Sequence, residues 1–274
     1  MWFVKIAAWL AVGYAVLVAV TYFAQTALLF PTSLAGGAPD VLPDGGAMAT
    51  KRMPDGVDVT VVRIAARKPD GPRPLVLGFG GNAWNAAAVA RTLHWLYPAN
   101  DVMAVYYRGY PPSGGRPSAK KLLGDAVTVF DGLEAPRGVV AVGFSIGAGV
   151  AAHLAAERSL RGLILVTPFD SLTALASHHY PWAPVRLLLR NRIDTATYLR
   201  DVDIPTAIIT AETDTVVPAE RSAPLRAAAK RLVFDTTISG AGHNDLYDQP
   251  AFVDAMRAAL TAVEAGAGTG RGRN

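Results

Sequence analysis

The 274-residue chain reads as a doubly wound α/β domain, a mostly parallel sheet covered by helices on both faces, preceded by a membrane-spanning helix. Three observations predict this. Short apolar runs alternate with helical patterns, a glycine-flanked serine joins one such run to a helix, and a charge-free apolar stretch opens the chain. The length suits one large domain and leaves too little chain for a second. Hydrophobic residues make up 51% and charged residues 18%, a balance that points to contact with lipid.

No formal charge occurs from Ile6 to Phe30, and IAAWLAVGYAVLVAVTYFA supplies the ~20 apolar residues that a helix needs to cross hydrocarbon. Trp2, Phe3 and Trp9 lie toward one end and Tyr22, Phe23 and Phe30 toward the other, where amphipathic rings favour the headgroup level. A cleaved signal peptide is the competing reading, since Ser33-Leu34-Ala35 offers a small-x-small site, but the apolar run exceeds a usual h-region. Lys5 precedes the span and no positive residue follows it until Lys51, which places the amino terminus in the cytoplasm and the main domain outside. The expected division is an anchor over 1–30, a Pro/Gly/Ala-rich linker over 31–46 lifting the domain off the membrane, the domain over 47–265 and a flexible tail over 266–274.

Within the domain, Pro54-Asp55-Gly56 is a turn signal before the alternating strand Val57–Ala65. Buried strands are expected at Leu75–Phe79, Val102–Tyr106, Val139–Phe144, Leu163–Val166, Thr206–Thr210 and Val233–Ile238. The crossover helices that parallel strands require fit Ala86–Leu96, Ala119–Leu133, Ala148–Glu157 and Ala219–Ala229, with Phe252–Glu264 closing the domain. Between residues 170 and 203 the pattern loosens into a proline-containing insertion with His178 and His179, read as a small cap.

The chemistry centres on Gly143-Phe144-Ser145-Ile146-Gly147, placed between an apolar strand and an alanine-rich helix. A serine at that sharp turn is held in strained geometry, and the flanking glycines let the turn pack without side-chain clash. Its hydroxyl needs a base. His94 and His153 lie within helices and read as packing or surface residues, and His178 and His179 as a solvated pair or substrate contacts. His243, in the glycine-rich loop after the last strand, sits at the carboxyl edge where active-site loops of open sheets gather. The orienting carboxylate is expected between serine and histidine in the chain. Asp214 follows a strand at the same edge, with Glu212 as its nearest competitor and Asp170 as the next, the latter with cap support or helix capping as its plainer role.

Stabilising a developing oxyanion requires backbone N–H groups: Ile146 after the nucleophile, and one from Gly80-Gly81-Asn82-Ala83, with Asn82 preferred over Gly81 or Ala83. Trp84, Phe144 and His179 are expected to bind substrate. With no cysteine in the chain, disulfides, thiolate zinc sites and a cysteine nucleophile are excluded, and no metal or cofactor is expected. The net charge of +4 forms no basic stripe, so no nucleic-acid partner is expected.

These pieces resemble the α/β-hydrolase superfamily, in particular its single-pass, membrane-anchored branch of serine hydrolases. QTALLFP looks like that branch's lead into the domain, FGGNAWN resembles its F-H-G-N-A-G-N oxyanion segment, and YYRGYPPSGGRPS its loop after the fourth strand. GFSIGAGVA, AETDTVVP and GAGHND are similar to its nucleophile, acid and base loops. Gly80 stands where the family has histidine and Trp84 where it usually has glycine, so the oxyanion loop and the acyl pocket depart from the pattern. The resemblance implies an esterase, lysophospholipase, acylglycerol lipase or depalmitoylase acting on a lipid or acyl-ester substrate. A transferase or peptidase using the same triad, and a silent membrane scaffold, are the alternatives. The oligomeric state is left open.

Overall fold

The structure, a computed structural model, describes residues 1–37, 42, 43 and 45–269. Helix α1 (Trp2–Leu29) is followed by β1 (Gly46–Arg52), β2 (Asp58–Ile64), β3 (Leu75–Phe79), α2 (Ala86–Leu96), β4 (Val102–Val105), α3 (Ala119–Asp131), β5 (Val139–Phe144) and α4 (Ile146–Glu157). Then come β6 (Gly162–Val166), α5 (Leu172–His179), α6 (Val185–Leu188), α7 (Thr195–Arg200), β7 (Thr206–Ala211), α8 (Ala219–Ala228), β8 (Leu232–Ile238) and α9 (Pro250–Thr269). The strands form one eight-stranded sheet in the order β1-β2-β4-β3-β5-β6-β7-β8. β2 pairs antiparallel with β1 and β4, and all other pairings are parallel.

The central strands are apolar throughout because both faces are covered. In β5, Val139 and Ala141 join the core on one side while Val140, Val142 and Phe144 join the other. The first side is closed by α3, α4 and α8 through residues such as Leu122, Leu154 and Leu225, and the second by α2 and α9 through Leu93, Phe252 and Val263. Parallel pairing sends the loops after β3, β5, β7 and β8 to one edge, where candidate chemistry can assemble.

Several boundaries differ from the sequence expectation. β1 is an added edge strand whose side chains are largely exposed, so it carries no apolar alternation. The segment after α1 is not a spacer. Phe30 and Ala35 are buried in the core, and the Asn85 side-chain amide donates to the carbonyls of Ala35 and Gly37 at 3.1 and 2.6 Å. The rest of the expected linker, residues 38–41 and 44, lies outside the described residues. The closing helix runs to Thr269, through the start of the expected tail, because Gly266 lets it lie against Pro205, where an added Cβ would come within 3.0 Å of the proline ring. Residues 270–274 of that tail lie outside the described residues.

Candidate active site

Strand β5 ends in a turn whose geometry only small neighbours permit. Ser145 sits at φ 53° and ψ −116°, a strained conformation for a non-glycine residue. A Cβ on Gly143 would collide with Ala148 of α4 and the Gly147 carbonyl, and one on Gly147 would collide with the Phe79 carbonyl. The turn is held by the Ser145 N–H donating to Val166 O at 2.9 Å. The hydroxyl is thereby presented, partly exposed, at the start of α4.

His243 and Asp214 reach the same point from the loops after β8 and β7. His243 Nε2 lies 3.2 Å from Ser145 Oγ, and its Nδ1 lies 2.7 Å from Asp214 Oδ2. The Asp214 side chain is 3% exposed and that of His243 10%, so their contact is shielded from water. Asp214 Oδ1 accepts the N–H groups of Val216 and Val217 at 2.9 and 2.7 Å, which fixes the carboxylate and leaves Oδ2 for the imidazole. Asp245 Oδ1 accepts the Gly242 N–H at 2.6 Å and folds the histidine loop back on itself.

The competing carboxylates do other work. Glu212 Oε2 accepts the Ser239 hydroxyl at 2.7 Å and the Gly240 N–H at 2.8 Å, tying the β7 loop to the β8 loop, and those bonds hold its carboxyl below the ordinary range. Asp170 pairs with Arg221 at 3.3 Å and accepts the Ser171 N–H at 2.7 Å, supporting the cap.

The chain is similar to several known proteins. No family model matches it. Uncharacterized protein Rv2307c of Mycobacterium tuberculosis is 36% identical over 201 residues, 70% of this chain and 71% of that protein. The lysophosphatidylserine lipase ABHD12 of Danio rerio is 27% identical over 169 residues, 53% of this chain and 44% of that one. The crystal structure of an alpha-beta hydrolase from Vibrio vulnificus matches with a TM-score of 0.65 at 22% identity, covering 88% of this chain and 94% of the other. The chain belongs to one family with Rv2307c and has the α/β-hydrolase fold.

In this α/β-hydrolase fold the loop after β3 faces Ser145. A Cβ built on Gly81 would lie 3.8 Å from that of Ser145. Tyr107 donates to Gly80 O at 2.8 Å and Tyr110 to Asn82 O at 2.6 Å, so two tyrosines after β4 clamp the loop's carbonyls. Among the described residues no acceptor takes the N–H of Gly81, Asn82, Ala83 or Ile146. The three loop donors therefore stay equivalent by this measure. Burial of the tyrosines raises both their hydroxyl pKa values, keeping them proton donors.

The expected substrate contacts separate. Phe144 is wholly buried in the core beneath Trp84, their ring centroids 4.9 Å apart, so it packs and does not face substrate. Trp84 is partly exposed and also meets Tyr247 at 4.8 Å. His179 lies on the rim, its Nε2 2.8 Å from Val216 O, pinning the cap to the Asp214 loop. His178 faces Glu220 at 3.2 Å, His94 is buried, and His153 packs its ring against Tyr198. Sequence reasoning missed Tyr247, which completes an aromatic cluster with Trp84 and Phe144 and whose hydroxyl burial pushes up to about 12. It also missed Arg108, a buried guanidinium bonded to Asp125 at 2.6 and 2.9 Å and to Asp55 at 2.7 Å, which braces the loop carrying both tyrosines. The charged Arg108 in an otherwise apolar stretch, YYRGYPP, is the signal that could have found it.

Proposed function

We propose that this hydrolase cleaves carboxylic esters or thioesters by a serine mechanism, with Ser145 as nucleophile, His243 as base and Asp214 as the acid that orients it. The bridging position of His243, within reach of both partners, carries this reading. Ser145 Oγ attacks the acyl carbon as its proton passes to His243 Nε2, and Asp214 stabilises the imidazolium. The oxyanion accepts hydrogen bonds from the Ile146 N–H and one N–H of the β3 loop, for which Asn82 is the choice. His243 then returns the proton to the departing alcohol or thiol, and water cleaves the acyl-enzyme by the same relay.

The substrate class we propose is a lipid or acylated molecule at a membrane face, with the catalytic domain on the extracytoplasmic side. Helix α1 is long and apolar enough to cross a bilayer, the Danio rerio relative is a lysophosphatidylserine lipase, and Trp84 offers an aromatic wall for an acyl group. An anchor is favoured over a cleaved signal sequence because the buried Gln25 of α1 and Phe30 just after it pack on the domain.

A fluorophosphonate probe and a short-chain aryl ester test the mechanism together. Wild type is expected to be labelled and to turn over the ester, and Ser145→Ala to do neither while folding normally. Labelling that persists in Ser145→Ala rejects the assignment.

A further inference from the structure

The cap and α1 meet along a seam that the catalytic mechanism does not use. Tyr14 Oη donates to Trp182 O at 2.9 Å, Gln25 Nε2 donates to Leu188 O at 3.2 Å, and Gln25 Oε1 accepts the Arg190 N–H at 2.7 Å. The Arg190 guanidinium stands 4.9 Å from the Tyr22 ring centre. The cap therefore covers one side of α1 from Tyr14 to its carboxyl end.

Helix arithmetic makes this contact informative. Lys5 bounds the uncharged stretch of α1, and from Ile6 to Tyr14 the helix rises only about 12 Å, well short of the ~30 Å hydrocarbon core. From Trp2 to Tyr22 the rise is about 30 Å, which matches that core and sets aromatic rings at both boundaries. Tyr14, and Trp182 with it, then lies about 12 Å inside the Tyr22 boundary. The side of α1 away from the cap agrees, since Val16, Val20 and Phe23 are each more than half exposed and apolar, and only lipid can cover them favourably. The outward face of the cap has the same character. Trp182 is 41% and Leu187 81% exposed, with Tyr180 at 47%, while Arg186 and Arg190 are long enough to snorkel toward headgroups.

Between the two surfaces lies an apolar groove of about 130 Å³, lined by Val18, Leu28, Leu29, Ala176, Val185 and Leu188 among others. It is smaller than a ~300–1,000 Å³ small-molecule site, so it suits part of one acyl chain and not a whole lipid. One wall is the membrane helix itself, from Val18, about 6 Å inside the Tyr22 boundary, to Leu29, about 10 Å beyond it, so the groove opens at the edge of the hydrocarbon, where acyl chains are the abundant apolar species. A second copy's helix, about 10–12 Å across, fits poorly into a cleft whose walls already touch at Tyr14–Trp182 and Gln25–Leu188. Helix α5 divides the groove from the active site: Ala176 lines the groove, and His179, one turn on, contacts Val216 beside Asp214.

We propose that the cap tip, Tyr180 to Leu188, is immersed in the bilayer beside α1, and that the groove between them holds an acyl chain of a membrane lipid. The inference rests on α1 being a retained anchor. It draws the substrate from the leaflet next to the cap.

The chain has no cysteine, so single labels are clean in the full-length protein. Nitroxides are placed at Trp9→Cys, Trp182→Cys, Leu187→Cys and, as a water control, Met48→Cys on β1, with the protein in phosphatidylcholine liposomes. Collision with oxygen is expected to exceed collision with a water-soluble nickel chelate at 9, 182 and 187, and the reverse at 48. If 9 behaves as lipid-exposed but 182 and 187 as water-exposed, immersion is overturned and the anchor stands. Water exposure at 9 removes the anchor itself. In the same liposomes, phosphatidylcholine carrying a diazirine in mid-chain is expected to cross-link wild type at α5–α6 peptides. Ala176→Phe is expected to lower that yield several-fold, together with the ratio of long-chain bilayer ester to soluble short-chain ester turned over. Cross-links confined to the far side of α1, at Val20 or Phe23, overturn the groove.

Discussion

The carboxyl edge of the sheet and the seam between α1 and the cap both join segments far apart in sequence, but they are held in opposite ways. At the edge three carboxylates are bonded to backbone: Asp214 to two N–H groups, Asp245 to Gly242, and Glu212 across to the neighbouring loop. At the seam a few polar bonds, from Tyr14, Gln25 and Thr26, punctuate contact that is otherwise apolar. The edge is thus fixed by strand ends whose positions parallel pairing dictates. The seam depends on a helix whose other side is apolar and exposed, so its packing is sensitive to surroundings that the edge ignores.

The comparison breaks at once if the edge is not the reacting region. Asp214→Asn keeps the shape of the side chain but presents an amide to the imidazole, favouring the wrong tautomer. Turnover of a soluble aryl ester is expected to fall about 10⁴-fold with little change in melting temperature. A loss below about tenfold in a folded variant would move the site elsewhere.

This contrast also explains what could be read from sequence. Ser145, Asp214 and His243 each follow an apolar run, so the strand pattern and the chain order locate them before any coordinates do. β1 could not be read that way, because GAMATKR is exposed along most of its length and lacks period-two burial. Phe144 was misjudged because adjacency to the nucleophile does not reveal that alternation along β5 turns its ring into the core. The packing of Phe30, Gln25 and Ala35 on the domain was hidden for another reason. An apolar anchor and a glycine-rich segment look alike in sequence whether they dock or hang free.

Support for the edge comes from one buried ion pair, which sets the next largest effect. Arg108 and Asp125 have side chains 4% and 8% exposed and are joined by two hydrogen bonds. Asp125→Ala would leave the guanidinium with only the half-exposed Asp55, whose carboxyl Arg108 and Lys121 already hold well below its ordinary value. We expect a loss of about 3 kcal/mol of stability, read as a melting-temperature drop of roughly 6–12 °C. Asp55→Asn is expected to cost much less, and equal effects would contradict the burial argument.

A smaller change sharpens the contrast from the seam side. Gln25→Leu leaves the Arg190 N–H and the Leu188 carbonyl without their partner, at a cost of about 1–3 kcal/mol. Amides of α5 and α6 should exchange with deuterium faster in detergent while those of β3, β5 and β6 stay protected. Uniform acceleration across the sheet would mean that seam and edge are one cooperative unit.

The finest test concerns Glu212, because its tie between the two catalytic loops is exposed and its protonation sets the pH at which the tie loosens. Hydrogen bonds from Ser239 and Gly240 lower its folded pKa below the ordinary 4.5. A carboxylate lowered on folding stabilises above its unfolded value, and that contribution is lost as pH falls through the folded one. The tie is therefore intact at neutral and alkaline pH. Glu212→Gln, which keeps an acceptor but loses the charge, is expected to lower kcat/KM only a few-fold there, with a constant ratio to wild type. Below 4.5 the two should converge, since the wild-type carboxylate becomes neutral as well. A ratio that instead changes well above 4.5 would assign the coupling to a group other than Glu212.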